Sequence, residues 1–352
     1  MIGASDKLNS ENKVILSICI PSYNRPHTLV RLLNSIDCKK YIADLEVVIS
    51  EDCAPKQAEV HESVQKFAEE SVLKVRYFEN EENQGYDRNL RQCIRHADGK
   101  WICYMGDDDQ FIAGELDSYI DYLKNLDEEV GYVLRSYQVI HANGQIEYMK
   151  YYKNSQIFAA GEQTYEELFR KSVFISGFTI KREWVENLDT DTFDGTLLYQ
   201  LYLQAEVCMN HKAAYYATPI TMQVDEESIP YFGSSKTEQH LYTAGTVTLN
   251  NSIQFMQQFL KITEYMDKKY DIHSTEYYQR DISKYSYPVL AIQRKRGRKE
   301  FRKYHKQLKG IGMNQTIYYY IYYYGLLIFG EQFCDTVIRI IKKICKGTPK
   351  LR

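Results

Sequence analysis

The sequence predicts an α/β fold of three layers, α/β/α, around a mostly parallel central sheet, followed by a mainly helical C-terminal region. Three observations predict it. Short β-branched runs alternate with stretches of helical spacing through roughly the first third of the chain, the pattern of βαβ units. Those runs are apolar at consecutive positions, as in strands covered on both faces. Beyond about residue 240 such runs give out and helical periodicity takes over.

Val14 to Ile20 (VILSICI) reads as the first buried strand, and Pro21-Ser22-Tyr23-Asn24-Arg25-Pro26 ends it. Leu29, Leu32, Leu33 and Ile36 then recur at helical spacing, with Thr28 as a candidate cap. Leu45 to Ile49 (LEVVI) is the second strand, closed by Ser50-Glu51-Asp52-Cys53; Ala58 to Phe67 is helical, and Leu73 to Tyr77 (LKVRY) is the third strand. After a turn at Glu81–Gly85, a helix from Arg88 to Ala97 keeps Leu90, Cys93, Ile94 and Ala97 on one side, and Asp98-Gly99 closes it. Trp101 to Met105 is the fourth strand, stopping abruptly at Gly106 and Asp107-Asp108-Asp109. Leu116 to Leu126 reads as a helix and Val130 to Ile140 as a single strand; His141-Ala142-Asn143-Gly144 signals a hairpin into Ile146–Tyr151. A further apolar helix carries Leu197, Leu198, Leu201 and Tyr202.

Composition narrows the function classes. An apolar share of 44% and a charged share of 26% are those of a globular protein, and 352 residues suffice for one large core or two smaller ones. The polar stretch Met1 to Lys13 lacks a signal-peptide pattern. The eight cysteines form no CxxC pair and the eight histidines no HExxH, so reduced thiols in the cytosol are expected rather than a disulfide framework or a zinc site. There is no GxxxxGK[ST] and no GxGxxG, which leaves P-loop and dinucleotide-binding readings without support. The net charge of −3 conceals an asymmetry: Arg294 to Arg352 holds 15 Lys/Arg against 3 Asp/Glu, a balance of +12, and the preceding residues carry −15. A basic tail on an acidic body asks for an anionic partner.

In a parallel sheet, ligands bind beyond the carboxyl ends of the strands. All four strand ends here are polar: Ser22/Tyr23/Asn24/Arg25, Glu51/Asp52, Asn83/Gly85/Arg88/Asn89, and Asp107–Asp109. Three adjacent carboxylates repel one another, and they make chemical sense around a hard divalent cation such as Mg²⁺ or Mn²⁺, shared with a substrate phosphate. Asp107, Asp108 and Asp109 are therefore the candidate metal ligands.

SICIPSYNRPHTL, EVVISEDCAPK, NQGYDRNLRQC and ADGKWICYMGDDDQF, in this order, resemble the N-terminal half of the family 2 glycosyltransferases. The resemblance implies a GT-A fold, a nucleotide-sugar donor and inverting transfer. It covers residues 14–115 well and continues more weakly to about 240. It implies that Pro21, Tyr23 and Arg25 lie against the nucleotide, and that Glu51 or Asp52, Asp52 first, meets the base. Gly85, Arg88 and Asn89 match the loop and helix start near the diphosphate or sugar, where a guanidinium can pair with phosphate oxygens. Asp107–Asp109 match the DxD-type motif, with Gly106 standing where the family often has an acid. The segment Phe174–Glu183 resembles the family's acceptor-side strand, and the family's catalytic base is an acid in the region that follows. Asp194 is the first choice and Asp191 the second; the competing reading for each is a helix N-cap, a position Asp favours. Tyr231 to Lys236 has the composition of a lid loop.

The tail completes the reading. Arg294 to Lys309 is a basic run with no nucleic-acid motif beside it, so no nucleic-acid partner is expected. Thr316 to Phe329 is apolar and tyrosine-rich but too short to span a bilayer. Gln332 to Lys346 is amphipathic: Phe333, Cys334, Val337, Ile338, Ile340, Ile341, Ile344 and Cys345 fall on one side, and Asp335, Arg339, Lys342, Lys343 and Lys346 on the other. That is the layout of a helix lying in an anionic membrane surface; the alternative is a terminal helix packed on the body. The expected organisation is a catalytic and donor-binding domain at 1–225, a lid and helical acceptor-side region at 226–310, and a membrane-interface segment at 311–352. The expected function is metal-dependent sugar transfer to a lipid-linked saccharide acceptor, on the cytoplasmic face of the cell membrane. The rival readings are a decayed membrane-associated carbohydrate-binding or assembly protein, and a sugar nucleotidyltransferase; the latter would need a Gly-rich basic loop after the first strand, which PSYNRPH is not.

Overall fold

A computed structural model describes residues 14–224 and 231–344, and the chain divides into two compact units, Met1–Gly245 and Thr246–Arg352. In the first unit, β1 (Leu16–Ser22), α1 (Pro26–Asn34), β2 (Leu45–Glu51), α2 (Gln57–Glu70), β3 (Lys74–Glu79), α3 (Tyr86–His96) and β4 (Trp101–Tyr104) follow one another as the periodicity predicts. They are followed by β5 (Gln110–Phe111), α4 (Glu115–Lys124), β6 (Val130–Arg135), β7 (Tyr137–Ile140), β8 (Ile146–Met149) and β9 (Gln156–Phe158). The unit is completed by α5 (Glu162–Phe169), β10 (Phe178–Lys181), α6 (Tyr199–Asn210), β11 (Lys212–Tyr216) and β12 (Thr221–Val224).

Eight strands form the central sheet in the order β3-β2-β1-β4-β10-β6-β11-β9, and a second sheet runs β5-β12-β7-β8. Strands β3, β2, β1 and β4 are parallel neighbours, while β10 lies antiparallel to both β4 and β6. The apolar runs of β1, β2 and β4 are legible because both faces are covered, whereas β3, at the sheet edge, is only partly buried. Ile18, Ile20, Val47 and Ile49 join Leu29, Leu32 and Leu33 of α1 and Val60 and Val64 of α2 in one core. On the other face α3 packs on β1 and β2, and the Tyr104 hydroxyl donates to the Leu90 carbonyl at 3.1 Å. Each such Leu, Ile or Val contributes about 1.5–3 kcal/mol when fully buried. Register places Ser22 opposite Glu51 and Cys19 opposite Tyr104, so the carboxyl ends of β1, β2 and β4 open along one edge.

Three local expectations are corrected. Val130–Ile140 is not one strand: β6 ends at Arg135, Ser136 is fully buried with its N–H on the Tyr216 carbonyl at 3.0 Å, and β7 enters the second sheet. Thr28 does not cap α1; Arg25 holds the N-cap position and Pro26 opens the helix, where its missing N–H costs nothing. The helix expected around Leu197 starts at Tyr199, because Leu197 adopts a left-handed φ of 64°. The hairpin at His141–Gly144 is present, with β7 and β8 antiparallel.

The second unit is helical: α7 (Leu249–Tyr270), α8 (Ser274–Lys284), α9 (Tyr287–Lys295), α10 (Arg298–Gly310), α11 (Ile317–Phe329) and α12 (Glu331–Ile344). Thr248 caps α7, its hydroxyl accepting the Asn251 N–H at 3.0 Å. The basic run is α10, and the tyrosine-rich run is α11. Of the amphipathic C-terminal stretch, Cys345, Lys346 and the side chains at 342 and 343 lie outside the described residues, as does the polar lead 1–13.

Candidate active site

The acidic loop after β4 is built around Arg25. Its Nη1 donates to Asp107 Oδ1 at 2.8 Å and stands 2.9 Å from Asp108 Oδ2, while the Tyr23 N–H donates to Asp107 Oδ2 at 3.1 Å. Asn24 takes a left-handed φ of 62°, a conformation Asn tolerates, in the turn between Tyr23 and Arg25. The guanidinium also lies over the Tyr231 ring, 5.2 Å from its centroid. Burial and the neighbouring Asp108 carboxylate push the Asp107 carboxyl upward, and the charge of Arg25 opposes them.

Asp109 faces elsewhere. It is buried, and its Oδ2 accepts from the Ser176 hydroxyl, which in turn accepts the Gly106 N–H at 2.8 Å. Burial pushes its carboxyl up to about 8. A Cβ at Gly106 would stand 3.0 Å from Asp108 Oδ1 and 3.1 Å from Asp109 Oδ2, so the glycine leaves room that an acid there would take. The sequence marks three candidate ligands; the geometry turns two of them, Asp107 and Asp108, towards one shared cation.

Among the described residues no group of three or more His, Cys, Asp and Glu side chains is arranged to hold a metal ion. Two carboxylates converging on a single guanidinium nitrogen do fit a Mg²⁺-like ion, which is bound by one or two carboxylates together with substrate phosphates.

At the end of β2, Glu51 is fully buried and accepts the Ala54 N–H at 3.1 Å. Asp52 accepts from Asn80 Nδ2 at 2.8 Å, the Gln84 N–H at 2.9 Å and the Gly85 N–H at 2.8 Å, and its own N–H reaches the Ser22 carbonyl at 3.1 Å. Both carboxyls are raised by burial, Glu51 to about 7 and Asp52 to about 6. Asn89 is buried as well, donating to the Ser50 carbonyl at 2.9 Å. Gly85 has φ 89°, and a Cβ there would sit 2.5 Å from Ser235 Oγ, so only glycine fits. Pro21 is the penultimate residue of β1, in register with Ser50.

Glu51 carries a pH prediction. Its folded value lies above its ordinary 4.5, so its contribution to stability is fully present below about 4.5 and is lost as pH rises through 7. The amide of Glu51→Gln can still accept the Ala54 N–H but does not titrate. Thermal melts from about pH 4 to about pH 8, which bracket the ordinary and the raised value of Glu51, should therefore show a smaller loss of stability for Glu51→Gln than for the wild type; parallel curves would remove Glu51 from the balance.

The acceptor-side segment is fastened to α3 by charges. Arg88 Nε and Arg91 Nη1 lie 2.5 Å and 2.6 Å from opposite oxygens of Asp194, and Arg91 and Arg95 both pair with Asp189. Asp87, almost wholly buried, accepts the N–H groups of Leu197 and Tyr199 at 2.9 Å and so caps α6 from another helix. Burial raises its carboxyl to about 7. Asp194 is thus no helix N-cap, a position held by Leu198, and Asp191 is exposed on the same loop. The stretch expected as a lid is tied down at its far end: Glu238 accepts the Tyr86 and Gly233 N–H groups, each at 2.7 Å, and Lys236 pairs with Glu82 at 2.6 Å.

Arg91, Asp87, Ser176 and Glu238 escaped the sequence reading. The spacing of Arg88, Arg91 and Arg95, which puts them on one face of a helix, is the one signal that pointed to the clamp. The other three are single polar residues whose partners lie far away in the chain.

Part of the chain is similar to known proteins. Residues 17–188 match the model of glycosyl transferase family 2. The abequosyltransferase RfbV of Salmonella typhimurium is 32% identical over 111 residues, 31% of this chain and 33% of that protein. The Escherichia coli UDP-Glc:alpha-D-GlcNAc-diphosphoundecaprenol beta-1,3-glucosyltransferase WfgD is 25% identical over 129 residues, 37% of this chain and 48% of that protein. Among solved structures, a mannosyltransferase from Pyrobaculum calidifontis, in complex with GDP-Man and Mn²⁺, aligns with a TM-score of 0.45 at 19% identity, covering 71% of this chain and 64% of that one. The matched stretches span a third to a half of these two sequence relatives. Asp191 and Asp194 lie just beyond the matched segment, which carries the acidic loop and the first three strand ends: residues 17–188 of this chain belong to glycosyl transferase family 2, on a GT-A-like α/β/α core.

Proposed function

We propose that the protein is an inverting glycosyltransferase that moves a sugar from a nucleotide diphosphate sugar to a hydroxyl of a lipid-linked surface saccharide. The observation that carries the reading is the convergence of Asp107 and Asp108 on Arg25 at the end of β4, inside the family segment. Asp107 and Asp108 would hold Mg²⁺ or Mn²⁺, which when bound stabilises charge on the departing diphosphate. Arg25 and the half-exposed Arg88 are the guanidinium groups placed to meet phosphate oxygens, with Tyr23 beside the nucleotide and the Glu51/Asp52 strand end towards its base. The acceptor hydroxyl attacks the anomeric carbon from the face opposite the leaving nucleotide, its oxygen forms the new bond, and its proton passes to a carboxylate.

That carboxylate is assigned to the 191–194 segment. Both oxygens of Asp194 are engaged by arginines, so a proton arriving there displaces a guanidinium contact; Asp191 is exposed and takes one without that loss. We therefore rank Asp191 first as base and give Asp194 the clamp. The lipid-linked acceptor follows the relative that acts on a diphosphoundecaprenol-linked sugar. Among the described residues no helix is long and apolar enough to cross a membrane. A peripheral position on the inner face of the cell membrane, held by α12, suits such an acceptor.

The test is release of nucleoside diphosphate by the purified chain across a panel of nucleotide sugars with Mn²⁺, abolished by a chelator. No turnover with any donor overturns the reading. Asp191→Asn should keep donor binding and lose transfer at least a hundredfold, within the range of a single acid–base residue. If Asp194→Asn alone does so, the base moves to Asp194.

A further inference from the structure

The second unit has a bare face that the charge of α12 alone does not account for. On α11, Ile317, Ile321, Tyr324 and Ile328 follow one another at helical spacing, and each is more than half exposed. On α12, Phe333, Val337, Ile340 and Ile344 repeat the same spacing, from 38% to 75% exposed. At 100° per residue, each set occupies an arc of about 60°. The two stripes are joined where the Phe329 and Phe333 rings lie 5.2 Å apart.

Neither stripe is an unfinished core. The opposite side of α11 is already packed: Tyr319, Tyr323 and Leu326 are buried, with Tyr323 stacked on Phe301 and His305 of α10. So many large apolar side chains exposed together mark an interaction surface rather than ordinary scatter. Charge selects the occupant. Residues 294–352 hold 15 Lys/Arg and 3 Asp/Glu, so two copies meeting here would bring like charges together, whereas an anionic lipid surface neutralises them. Aromatic hydroxyls such as that of Tyr324 suit the boundary between acyl chains and headgroups.

We propose that α11 and α12 form one continuous insertion surface for an anionic phospholipid bilayer, with α11 supplying as much of the apolar contact as α12. The proposal rests on the peripheral-membrane reading above and names the surface that performs it. The experiment is co-sedimentation of the full chain with phosphatidylcholine vesicles, with and without phosphatidylglycerol. The wild type should partition onto the anionic vesicles and onto neutral ones at least tenfold less. Ile321→Glu/Ile328→Glu on α11 and Ile340→Glu on α12 should each reduce partitioning at least tenfold, with circular dichroism unchanged, since all three residues are exposed. If the α11 variant binds like the wild type while the α12 variant does not, the two-helix surface is overturned and the peripheral reading stands. If the wild type binds no vesicle, both fall, and donor turnover reports separately on the transferase reading. Self-association of the wild type that the same substitutions abolish would assign the face to a second copy and overturn the proposal.

Discussion

Asp107→Asn is expected to lower nucleoside diphosphate release by about 10³-fold, equivalent to about 4 kcal/mol of transition-state stabilisation, while leaving the fold intact. Asp107 is the member of the acidic loop fixed from two sides, by the Tyr23 N–H and the Arg25 guanidinium. An amide can still accept the Tyr23 N–H, so the backbone of the loop keeps its support. What disappears is half of the negative charge that Asp107 and Asp108 present together. The melting temperature should change little, because removing a buried charge also removes the cost of burying it. Asp109→Asn is the matched comparison: that carboxyl is spent on Ser176, and its loss should cost activity far less. Turnover of Asp107→Asn within tenfold of the wild type would show that the loop does not hold the ion.

The largest loss of stability is expected for Gly195→Ala. Gly195 adopts φ 78°, and a Cβ there would stand 2.3 Å from the Thr237 carbonyl oxygen, a backbone atom that cannot rotate away. Left-handed strain costs a non-glycine residue about 1–2 kcal/mol, and relieving the clash requires prising apart the 191–195 loop and the 235–238 turn, so about 3 kcal/mol in total is expected. For a unit of this size that corresponds to a melting temperature lower by about 10 °C. Gly114→Ala is the control: its φ is 79°, but nothing lies within 4 Å of its Cβ, so only the strain term remains. Equal melting temperatures for the two variants would show that the loop gives way freely. Because Asp194 adjoins Gly195, the substitution should also loosen the arginine clamp and lower turnover.

Much of this was legible in the sequence, for a physical reason. A strand covered on both faces must be apolar at consecutive positions, so β1, β2 and β4 stand out, as do the polar residues at their ends. The short strands β5, β9 and β12 carry too few residues to show a period. The break at Ser136 was hidden because Val130–Ile140 is apolar enough to pass for one strand, although its two halves serve different sheets. Ser176, Asp87 and Glu238 were hidden because the pairs they form are closed by the fold: Ser176 with Asp109 across 67 residues, Glu238 with Tyr86 across 152.

The sequence by itself determined the order of strands and helices as far as β4, the sheet edge at which polar residues collect, and the three aspartates from which a metal seat could be drawn. Only the tertiary structure decided which partner each carboxylate meets. Asp109, Asp52 and Asp194 are engaged by Ser176, by the Asn80–Gly85 turn and by two arginines, while Asp107 and Asp108 share the Arg25 guanidinium. A carboxylate's chemistry depends on what desolvates it and what bonds it, and those neighbours come from chain segments that no local pattern connects.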